Sequence, residues 1–210
     1  MKVNYIKYWR KSSLKKKEDG NFLLNHIRLK KPKNFLEIGV FHGVTSRNVC
    51  ELLYSFHGND FKFTGIDLFV NDETLLKDEY IPKIKFSNLL KTIYYNYIIR
   101  KNPYSIQSVL KLLKKYKRNI NIIKGHSNKI LKQISLDKFD YVFLDGGHKY
   151  ETVKDDLELL TKVINNSGII LCDDYDLTYA PGVKKAIDEY VYNKKLNLKI
   201  LHSRLAEITK

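Results

Sequence analysis

The sequence predicts an α/β fold: a mostly parallel sheet with helices on both faces and an antiparallel hairpin at the C-terminus. Two observations carry this prediction. Apolar runs of strand length alternate along the chain with longer segments whose apolar residues recur at helical spacing. Near the C-terminus, two apolar runs are separated by a short turn, as in a hairpin. Alternating strands and helices favour a parallel sheet with right-handed crossovers.

The strands of the parallel part are predicted in five apolar runs, and the hairpin in two more. The five runs span residues 35–40, 61–69, 120–124, 141–144 and 169–172. The hairpin strands lie in "LNLKIL" and "LAEIT", on either side of a turn at Ser203.

Helices are predicted between these runs, over residues 45–56, 128–134, 152–164 and 182–192. In the third helix, Val153, Leu157, Leu160 and Ile164 fall on one face, which is the pattern of a helix that packs against a sheet. The residues "NNSG" that follow supply a stop, because glycine accepts the left-handed conformation that ends many helices.

The length of 210 residues predicts a single domain, 1–210, because a chain of this size builds one full core. Two segments stand outside the regular alternation. Residues 1–20 are a basic lead-in that we expect to be frayed and partly helical. Residues 70–119 are an insert with two predicted helices, separated by Asn102 and Pro103, and we expect this insert to cover the active site.

Composition excludes several classes of protein. An apolar fraction of 43% is too high for a disordered chain, and charges interrupt the apolar runs before they reach the length of a membrane span. Cys50 and Cys172 are too few for a disulfide framework or a cysteine-based zinc site, and they fit a reducing cytoplasm. The N-terminus lacks the apolar core of a signal peptide. We therefore expect a soluble, cytoplasmic protein.

The formal net charge of +15 raises nucleic acid as a partner, because clustered lysine and arginine release counterions from phosphates. The lysines are nevertheless scattered along the whole chain. The densest clusters, at 11–17 and 111–118, are better explained as solvated helix faces. Nucleic acid is therefore the less favoured partner.

Polar residues and glycines follow the predicted strands at the points where the strands end. In parallel sheets, ligands bind at the carboxyl ends of the strands, beside the point where the strand order reverses. The residues that should share this edge are Glu37, Gly39, Asp67, 125–127, 145–148, Asp173 and Asp174.

Two features of this edge indicate a cofactor that contains a nucleoside. Gly39 and Gly43 stand in the turn between the first strand and its helix, where missing Cβ atoms let a ligand approach unpaired helix N–H groups. Asp67 ends the second strand, where a carboxylate can accept the two hydroxyls of a ribose. The glycine spacing lacks the G-x-G doublet of the nicotinamide fingerprint.

The pattern Glu37-x-Gly39-x-x-x-Gly43 resembles motif I of the class I S-adenosylmethionine-dependent methyltransferases. The resemblance extends from about Phe22 to the C-terminus, through "LEIGVFHGVTS", "GIDLF", "IIKGHSNKIL", "FDYVFLDGGHKYETVKDDLELL", "GIILCDDYD" and "GVKKAIDEY". The sequence segment around Asp145 looks most similar to the macrocin-type branch of small-molecule O-methyltransferases. The resemblance implies a Rossmann-like sheet of seven strands.

The same resemblance implies roles for residues at the cofactor site. Gly39 would line the methionine part of S-adenosylmethionine, Asp67 would hold its ribose, and Ser127 would lie near its adenine. The remaining members of the implied cofactor-binding set are Glu37, Gly43 and Asp145.

Asp145, Asp173 and Asp174 should converge where the fourth and fifth strands end. Like charges held together repel unless a cation or a hydrogen-bond donor offsets them, and hard oxygen ligands favour Mg²⁺, Ca²⁺ or Mn²⁺. The metal-dependent O-methyltransferases that this chain resembles bind a divalent cation through aspartates at these positions. We therefore expect a cation, Mg²⁺ first, at these three residues. The alternative is that Asp174 and Asp176 cap the following turn.

Methyl transfer from a sulfonium is an in-line displacement, which needs an aligned acceptor oxygen and a base. His148 can accept a proton near neutral pH, so His148 and Asp145 are the candidate catalytic residues. Related catechol-type enzymes carry lysine at this position, and the alternative that His148 only hydrogen-bonds the Asp pair or the next helix stays open. His42 and His126 are spare candidates on the same edge.

The predicted function is S-adenosylmethionine-dependent O-methylation of a small-molecule or sugar hydroxyl, assisted by a divalent cation. The alternatives are an RNA methyltransferase, a nucleotide-binding oxidoreductase and a scaffold without catalysis. The Asp-Gly-Gly-His sequence after the fourth strand departs from the Asn/Asp-Pro-Pro-aromatic motif of base N-methyltransferases. Aromatic residues in the insert fit core packing or the face of a homodimer.

Overall fold

The structure is a computed structural model that describes residues 4–69, 88–94, 102–202 and 204–210. Strands of these residues form one sheet. Their bounds are β1 Asn34–Ile38, β2 Lys62–Asp67, β3 Ile120–Lys124, β4 Tyr141–Leu144, β5 Ile169–Cys172, β6 Asn197–Ile200 and β7 Ala206–Thr209. The order in the sheet is β3-β2-β1-β4-β5-β7-β6.

Helices connect the strands and cover the sheet. Their bounds are α1 Lys17–Lys30, α2 Val44–His57, α3 Leu89–Ile93, α4 Ile106–Leu112, α5 Ser127–Ile130, α6 Tyr150–Asn165 and α7 Pro181–Lys194, with short 3₁₀ turns at Lys114–Tyr116 and Leu136–Lys138. Across the described ranges, the structure contains no helix with the length and apolar character of a membrane span.

The strand order reverses between β1 and β4. Strands β2 and β3 continue the sheet on one side of β1, and β4 and β5 continue it on the other, all in parallel. The last residues of β1 and β4, Ile38 and Leu144, are paired in register. The edge beyond this pair is the switch point beside which α/β folds bind ligands.

Successive residues of the central strands point to opposite faces of the sheet, and each face has its own core. Phe35 and Tyr141 pack with the apolar residues of α1 and α2. Their neighbours Leu36 and Val142 pack with those of α6 and α7 on the other face. Because helices cover both faces, all four residues of β4 are buried, as is usual for a central parallel strand.

The predicted fold class is confirmed. Strands β3, β4 and β5 have the predicted bounds, and the other predicted strands and helices differ by a few residues at their ends. The C-terminal hairpin is also confirmed, since β6 and β7 pair antiparallel with Leu198 opposite Ile208. The predicted turn residue, Ser203, lies outside the described residues.

Residues 4–20 of the N-terminal lead-in are partly helical, and they pack against the rest of the chain. Helix α1 begins at Lys17, and residues 4–16, which we call the N-terminal strap, pack against α2 without regular structure. Tyr5 and Leu14 are fully buried, and the backbone of Ile6 exchanges hydrogen bonds with the Asn48 side chain in α2. The basic composition of this segment concealed these two apolar anchors.

The insert at 70–119 is described in part, because residues 70–87 and 95–101 lie outside the described residues. Helices α3 and α4 fall on either side of Asn102 and Pro103, as predicted. Leu89 and Leu90 in α3 are exposed, whereas Val109 in α4 is buried and lies next to Gly43, at the start of α2. That the insert covers the active site stays a prediction.

Candidate active site

The carboxyl ends of the parallel strands lie on one edge of the sheet, and the hydrogen-bond ladder continues just past them. The donor and acceptor pairs are Gly39 N to Ile66 O at 2.9 Å, Gly125 N to Asp67 O at 2.9 Å, Asp145 N to Ile38 O at 2.8 Å, and Asp173 N to Leu144 O at 2.9 Å. The predicted site residues that follow the strands are therefore brought to a common edge.

The turn between β1 and α2 touches the backbone that leaves β4. Gly39 has a φ of +96°, and a Cβ atom there would lie 2.1 Å from the carbonyl oxygen of Asp145. No side chain fits in that space. Gly43 has a φ of +74° and is the N-cap of α2. Both predicted glycines are thus required by the backbone, and Gly39 lies directly against Asp145.

Glu37 lies at the end of β1 as a fully buried carboxyl group. Its Oε2 accepts a hydrogen bond from the Ser46 hydroxyl in the first turn of α2, and its Oε1 has no partner among the described residues. Burial raises the pKa of Glu37 to about 8, and the charge of Asp67 acts in the same direction. The carboxyl is therefore mostly neutral at pH 7.

Asp67 faces the same turn from β2. Its Oδ2 accepts the Phe41 N–H at 2.7 Å, and its Oδ1 accepts the Phe69 N–H at 2.9 Å and the Tyr104 hydroxyl at 2.8 Å. Burial raises the pKa of Asp67 although these hydrogen bonds oppose the shift. The ring of Tyr104 is buried and contacts the rings of Phe41, His42 and Phe69. The Asp67 carboxylate thus already accepts a hydrogen bond from a hydroxyl of the chain itself, that of Tyr104.

Ser127 is the first residue of α5, two residues past Gly125. Because the Gly125 N–H bonds the Asp67 carbonyl, Ser127 lies on the predicted edge, one strand further out than Asp67.

Asp145, Asp173 and Asp174 form an acidic cluster where β4 and β5 end. Burial first, and then the charges of Asp173 and Asp174, raise the pKa of Asp145 well above its usual range. Burial and the charge of Asp174 raise the pKa of Asp173 to about 6. Mutual effects of this kind require that the three carboxyl groups lie close together, as the sequence predicts.

Arg204, in the turn between β6 and β7, pairs with two members of this cluster. Its Nε and Nη2 bond the two oxygens of Asp173 at 2.5 Å and 2.8 Å, and Nη2 also bonds Oδ1 of Asp174. The side chain of Arg204 is 10% exposed and that of Asp173 is fully buried. The sequence reasoning missed this residue.

His148 also reaches the cluster. Its Nε2 lies 2.7 Å from Oδ2 of Asp174, and its ring lies 6.0 Å from that of Tyr179, whose hydroxyl donates to Oδ1 of Asp174 at 2.9 Å. Burial alone would raise the pKa of Asp174, but the bond with His148 and the charge of Arg204 outweigh burial and lower that pKa. The contact is the one that the alternative to a catalytic role described, and it is also compatible with His148 as a base, which stays a prediction.

The N-terminal strap lies over the same edge, which the sequence did not indicate. Ser13 hydrogen-bonds the Asp145 side chain, whose Oδ2 has no partner within the described part of the chain. Arg10 donates to the His42 carbonyl at 2.9 Å, and the Tyr5 hydroxyl lies 2.7 Å from that of Thr45 in α2. The strap therefore contacts both the glycine turn and the acidic cluster.

A comparison with protein families identifies the family of this chain. A family model described as a methyltransferase domain matches residues 36–175, which is two thirds of the chain and includes every predicted site residue. The chain belongs to this methyltransferase family.

Individual relatives agree with this assignment at the level of the fold. The methyltransferase PaMTH1 of Podospora anserina, whose structure is bound to S-adenosylhomocysteine (SAH), is 20% identical to this chain. Its TM-score is 0.58, and the match covers 92% of this chain and 78% of the PaMTH1 chain. The TDP-rhamnose 3'-O-methyltransferase CalS11, from calicheamicin biosynthesis, is 16% identical, with a TM-score of 0.54 over 90% and 76%. At such identities these likenesses show the fold of the methyltransferase domain.

One curated relative matches over a shorter stretch. The uncharacterized protein R132 of Acanthamoeba polyphaga mimivirus is 40% identical over 53 residues, which are 25% of this chain and 24% of that protein. The match thus spans about a quarter of the relative's length. The macrocin-type branch that the sequence suggested is not confirmed by these relatives.

The predicted divalent-cation site of the methyltransferase domain is not supported. The three aspartates do converge, but the Arg204 guanidinium is bonded to both oxygens of Asp173 and to Asp174. Within residues 4–69, 88–94, 102–202 and 204–210, no group of three or more histidine, cysteine or acidic side chains has the arrangement of a metal site. The sequence predicted Mg²⁺ or another divalent cation at this cluster, whereas the cation that the structure places against Asp173 and Asp174 is the Arg204 guanidinium.

The two spare histidines have different surroundings. His42 is 1% exposed, its ring nitrogens have no partner in the described ranges, and burial lowers its pKa to about 3. Such an imidazole is a weak base. His126 is exposed at the start of α5. His148 is therefore the histidine of this edge that is both accessible and oriented by a carboxylate.

The buried carboxyl of Glu37 should make stability depend on pH. Its pKa is about 8 in the folded protein and near 4.5 in the unfolded chain, so stability is fully present below about pH 4.5 and is lost as the pH rises toward 8. Replacement Glu37→Gln removes this loss. The Tm of the variant relative to wild type should therefore increase by several degrees between pH 5 and pH 8.

Thermal unfolding at a series of pH values, without ligand, measures this difference. The matched control is Glu151→Gln, since Glu151 is exposed in the first turn of α6. A Tm difference for Glu37→Gln that is the same at pH 5 and pH 8 would show that Glu37 ionises normally in the fold.

Proposed function

We propose that this methyltransferase domain transfers a methyl group from S-adenosylmethionine to a hydroxyl of a small molecule or a sugar. The observation that carries the proposal is the direct contact of the Gly39 turn with Asp145, which puts a cofactor-type turn beside the His148–Asp174 pair. Two structural neighbours support it, since one is bound to S-adenosylhomocysteine and the other is a TDP-rhamnose 3'-O-methyltransferase.

The residues fit the proposed cofactor. Asp67 accepts the Tyr104 hydroxyl, which is the same class of donor as a ribose hydroxyl, so a ribose would replace Tyr104 at Oδ1. Gly39 lets the turn pack directly against the Asp145 backbone, and Gly43 adopts the positive φ with which α2 begins, so both glycines shape the turn that the cofactor would approach. Glu37 supports that turn through Ser46, and Ser127 and Asp145 flank the proposed site on either side. When bound, the cofactor supplies a methyl group activated by a sulfonium.

His148 acts as the general base in this proposal. A carboxylate that accepts from Nε2–H fixes the neutral ring in the tautomer whose Nδ1 carries the lone pair, and Asp174 is such a carboxylate. Nδ1 would take the proton of the acceptor hydroxyl while its oxygen bonds the methyl carbon and the carbon–sulfur bond breaks. Asp174 then stabilises the imidazolium.

No step of this proposal uses a divalent cation, because Asp173 and Asp174 are already bonded to Arg204. The other functions that the sequence left open have no specific observation in their favour. The methyltransferase family does not favour an oxidoreductase. An RNA acceptor rested on the net charge, and a homodimer stays a prediction.

The acceptor class can be tested directly. Purified protein is incubated with labelled S-adenosylmethionine and a panel of catechols, phenols and sugar nucleotides, and methyl ether formation is measured. We expect turnover with at least one hydroxyl compound. Turnover of RNA alone, with none of the panel methylated, would contradict the proposed acceptor.

Asp67→Asn should weaken the binding of S-adenosylhomocysteine by about tenfold or more, because a ribose loses a charged acceptor. Calorimetric titration measures the affinity, after thermal unfolding has shown that the variant is folded. The matched control is Asp60→Asn, an exposed aspartate just before β2. A folded Asp67→Asn protein that keeps the wild-type affinity would remove Asp67 from the cofactor site.

His148→Ala should lower kcat on the order of 100-fold with the acceptor found in the screen, because the base is lost. The affinity for S-adenosylhomocysteine should change less than about twofold, since the base does not hold the cofactor. His57→Ala is the matched control, because His57 ends α2 at the opposite edge of the sheet. A kcat within threefold of wild type would assign His148 a structural role.

A further inference from the structure

We propose that Arg204 is the resident cation of the acidic cluster: its guanidinium occupies Asp173 and Asp174 and so excludes divalent cations from them. The exclusion is a property of the folded chain that can be measured without catalysis. A second part of the inference, that Arg204 positions His148 through Asp174, rests on the proposed function.

The bonds of Arg204 have the form of a strong ion pair. The guanidinium meets Asp173 in a fork of two parallel bonds, at 2.5 Å and 2.8 Å, and the same Nη2 reaches Oδ1 of Asp174. Bidentate bonds between arginine and carboxylate are among the strongest hydrogen bonds in proteins. The three side chains are 10%, 0% and 6% exposed, so water screens this interaction weakly.

Each carboxylate oxygen of Asp173 and Asp174 already has a hydrogen-bond partner in the chain. Besides Arg204, Oδ1 of Asp173 accepts the backbone N–H of Asp174, Oδ1 of Asp174 accepts the Tyr179 hydroxyl, and Oδ2 of Asp174 lies 2.7 Å from His148. A divalent cation needs oxygens whose lone pairs point at one position, about 2.0–2.6 Å away. Here each oxygen already has a donor, and a dication would also repel the guanidinium.

The topology explains why the arginine reaches the cluster. Strand β7 pairs antiparallel with β5, with Cys172 opposite Ala206. Continuing this register past the ends of the strands brings Arg204 opposite Asp174. The backbone is held as well, since the Tyr175 N–H donates to the Arg204 carbonyl at 3.0 Å. Arg204 is therefore fixed by the hairpin.

Arg204 also has a positioning role toward His148. Asp174 has a φ of +60°, a conformation that a non-glycine residue adopts only when its surroundings hold it. Its two oxygens join Arg204 and Tyr179 on one side to His148 on the other. Loss of Arg204 should leave Asp174 without its cation and change the orientation of the imidazole.

The experiment is a titration of Mn²⁺ into wild type, Arg204→Met and Arg204→Lys, with thermal unfolding and Mn²⁺ electron paramagnetic resonance as readouts. Wild type should show the same Tm in EDTA and in millimolar Mn²⁺, and no bound-Mn²⁺ signal. Arg204→Met should unfold at lower temperature in EDTA. Added Mn²⁺ should raise its Tm by roughly 5 °C at a hundredfold excess over the dissociation constant.

The controls separate the charge from the shape of the side chain. Arg204→Lys keeps the cation and should stay insensitive to Mn²⁺. Arg28→Met replaces an exposed arginine in the last turn of α1 and should behave as wild type. With an identified acceptor, Arg204→Met should lower kcat more than it raises KM, and Arg204→Lys should restore part of kcat.

Two results would overturn the inference. The first is Mn²⁺ binding by wild type that Asp173→Asn abolishes, and the second is no Mn²⁺ binding by folded Arg204→Met. Should Arg204→Met fail to fold, the wild-type titration decides: binding that depends on Asp173 overturns the inference, and absence of binding supports it. Failure of the proposed function would be seen in a different measurement, as wild-type protein that does not bind S-adenosylhomocysteine.

Discussion

The contact between Gly39 and the carbonyl of Asp145 is the constraint on which the site depends. Strands β1 and β4 pair in parallel, with their last residues in register. The turns that follow them, at Gly39 and Asp145, therefore leave the sheet side by side where the strand order reverses. A side chain at residue 39 would lie 2.1 Å from that carbonyl, so glycine is what lets the two turns touch. This contact sets the glycine turn of the methyltransferase domain beside the acidic cluster.

Several carboxyl groups lie at this edge, where their burial as free anions would cost much free energy. A different interaction lowers that cost for each of them. Glu37 is held mostly neutral by burial, Asp67 is surrounded by three donors, and Asp173 and Asp174 share an arginine. A site with its charges arranged in this way is organised before any ligand enters. That is the condition under which a fixed environment accelerates a displacement reaction.

Much of this arrangement could be predicted because it is local in sequence. Apolar runs defined β3, β4 and β5 without error, and the rule that ligands bind at strand ends collected Glu37, Gly39, Asp67, Asp145 and Asp174. What the sequence did not reveal depends on contacts between distant residues. Arg204 lies 30 residues from Asp174, Tyr104 lies 37 from Asp67, and Tyr5 lies 40 from Thr45. No spacing pattern links such pairs, and only the packed fold selects one arginine or tyrosine among many.

Hydrogen–deuterium exchange with and without S-adenosylhomocysteine tests the central claim most directly, because it locates binding along the chain. We expect slower exchange in peptides that cover 37–48, 65–69 and 145–149, where the glycine turn, Asp67 and the end of β4 meet. Exchange in peptides that cover β6, residues 197–200, should be unchanged. Binding without protection at the first three segments would contradict the claim that they form one cofactor site.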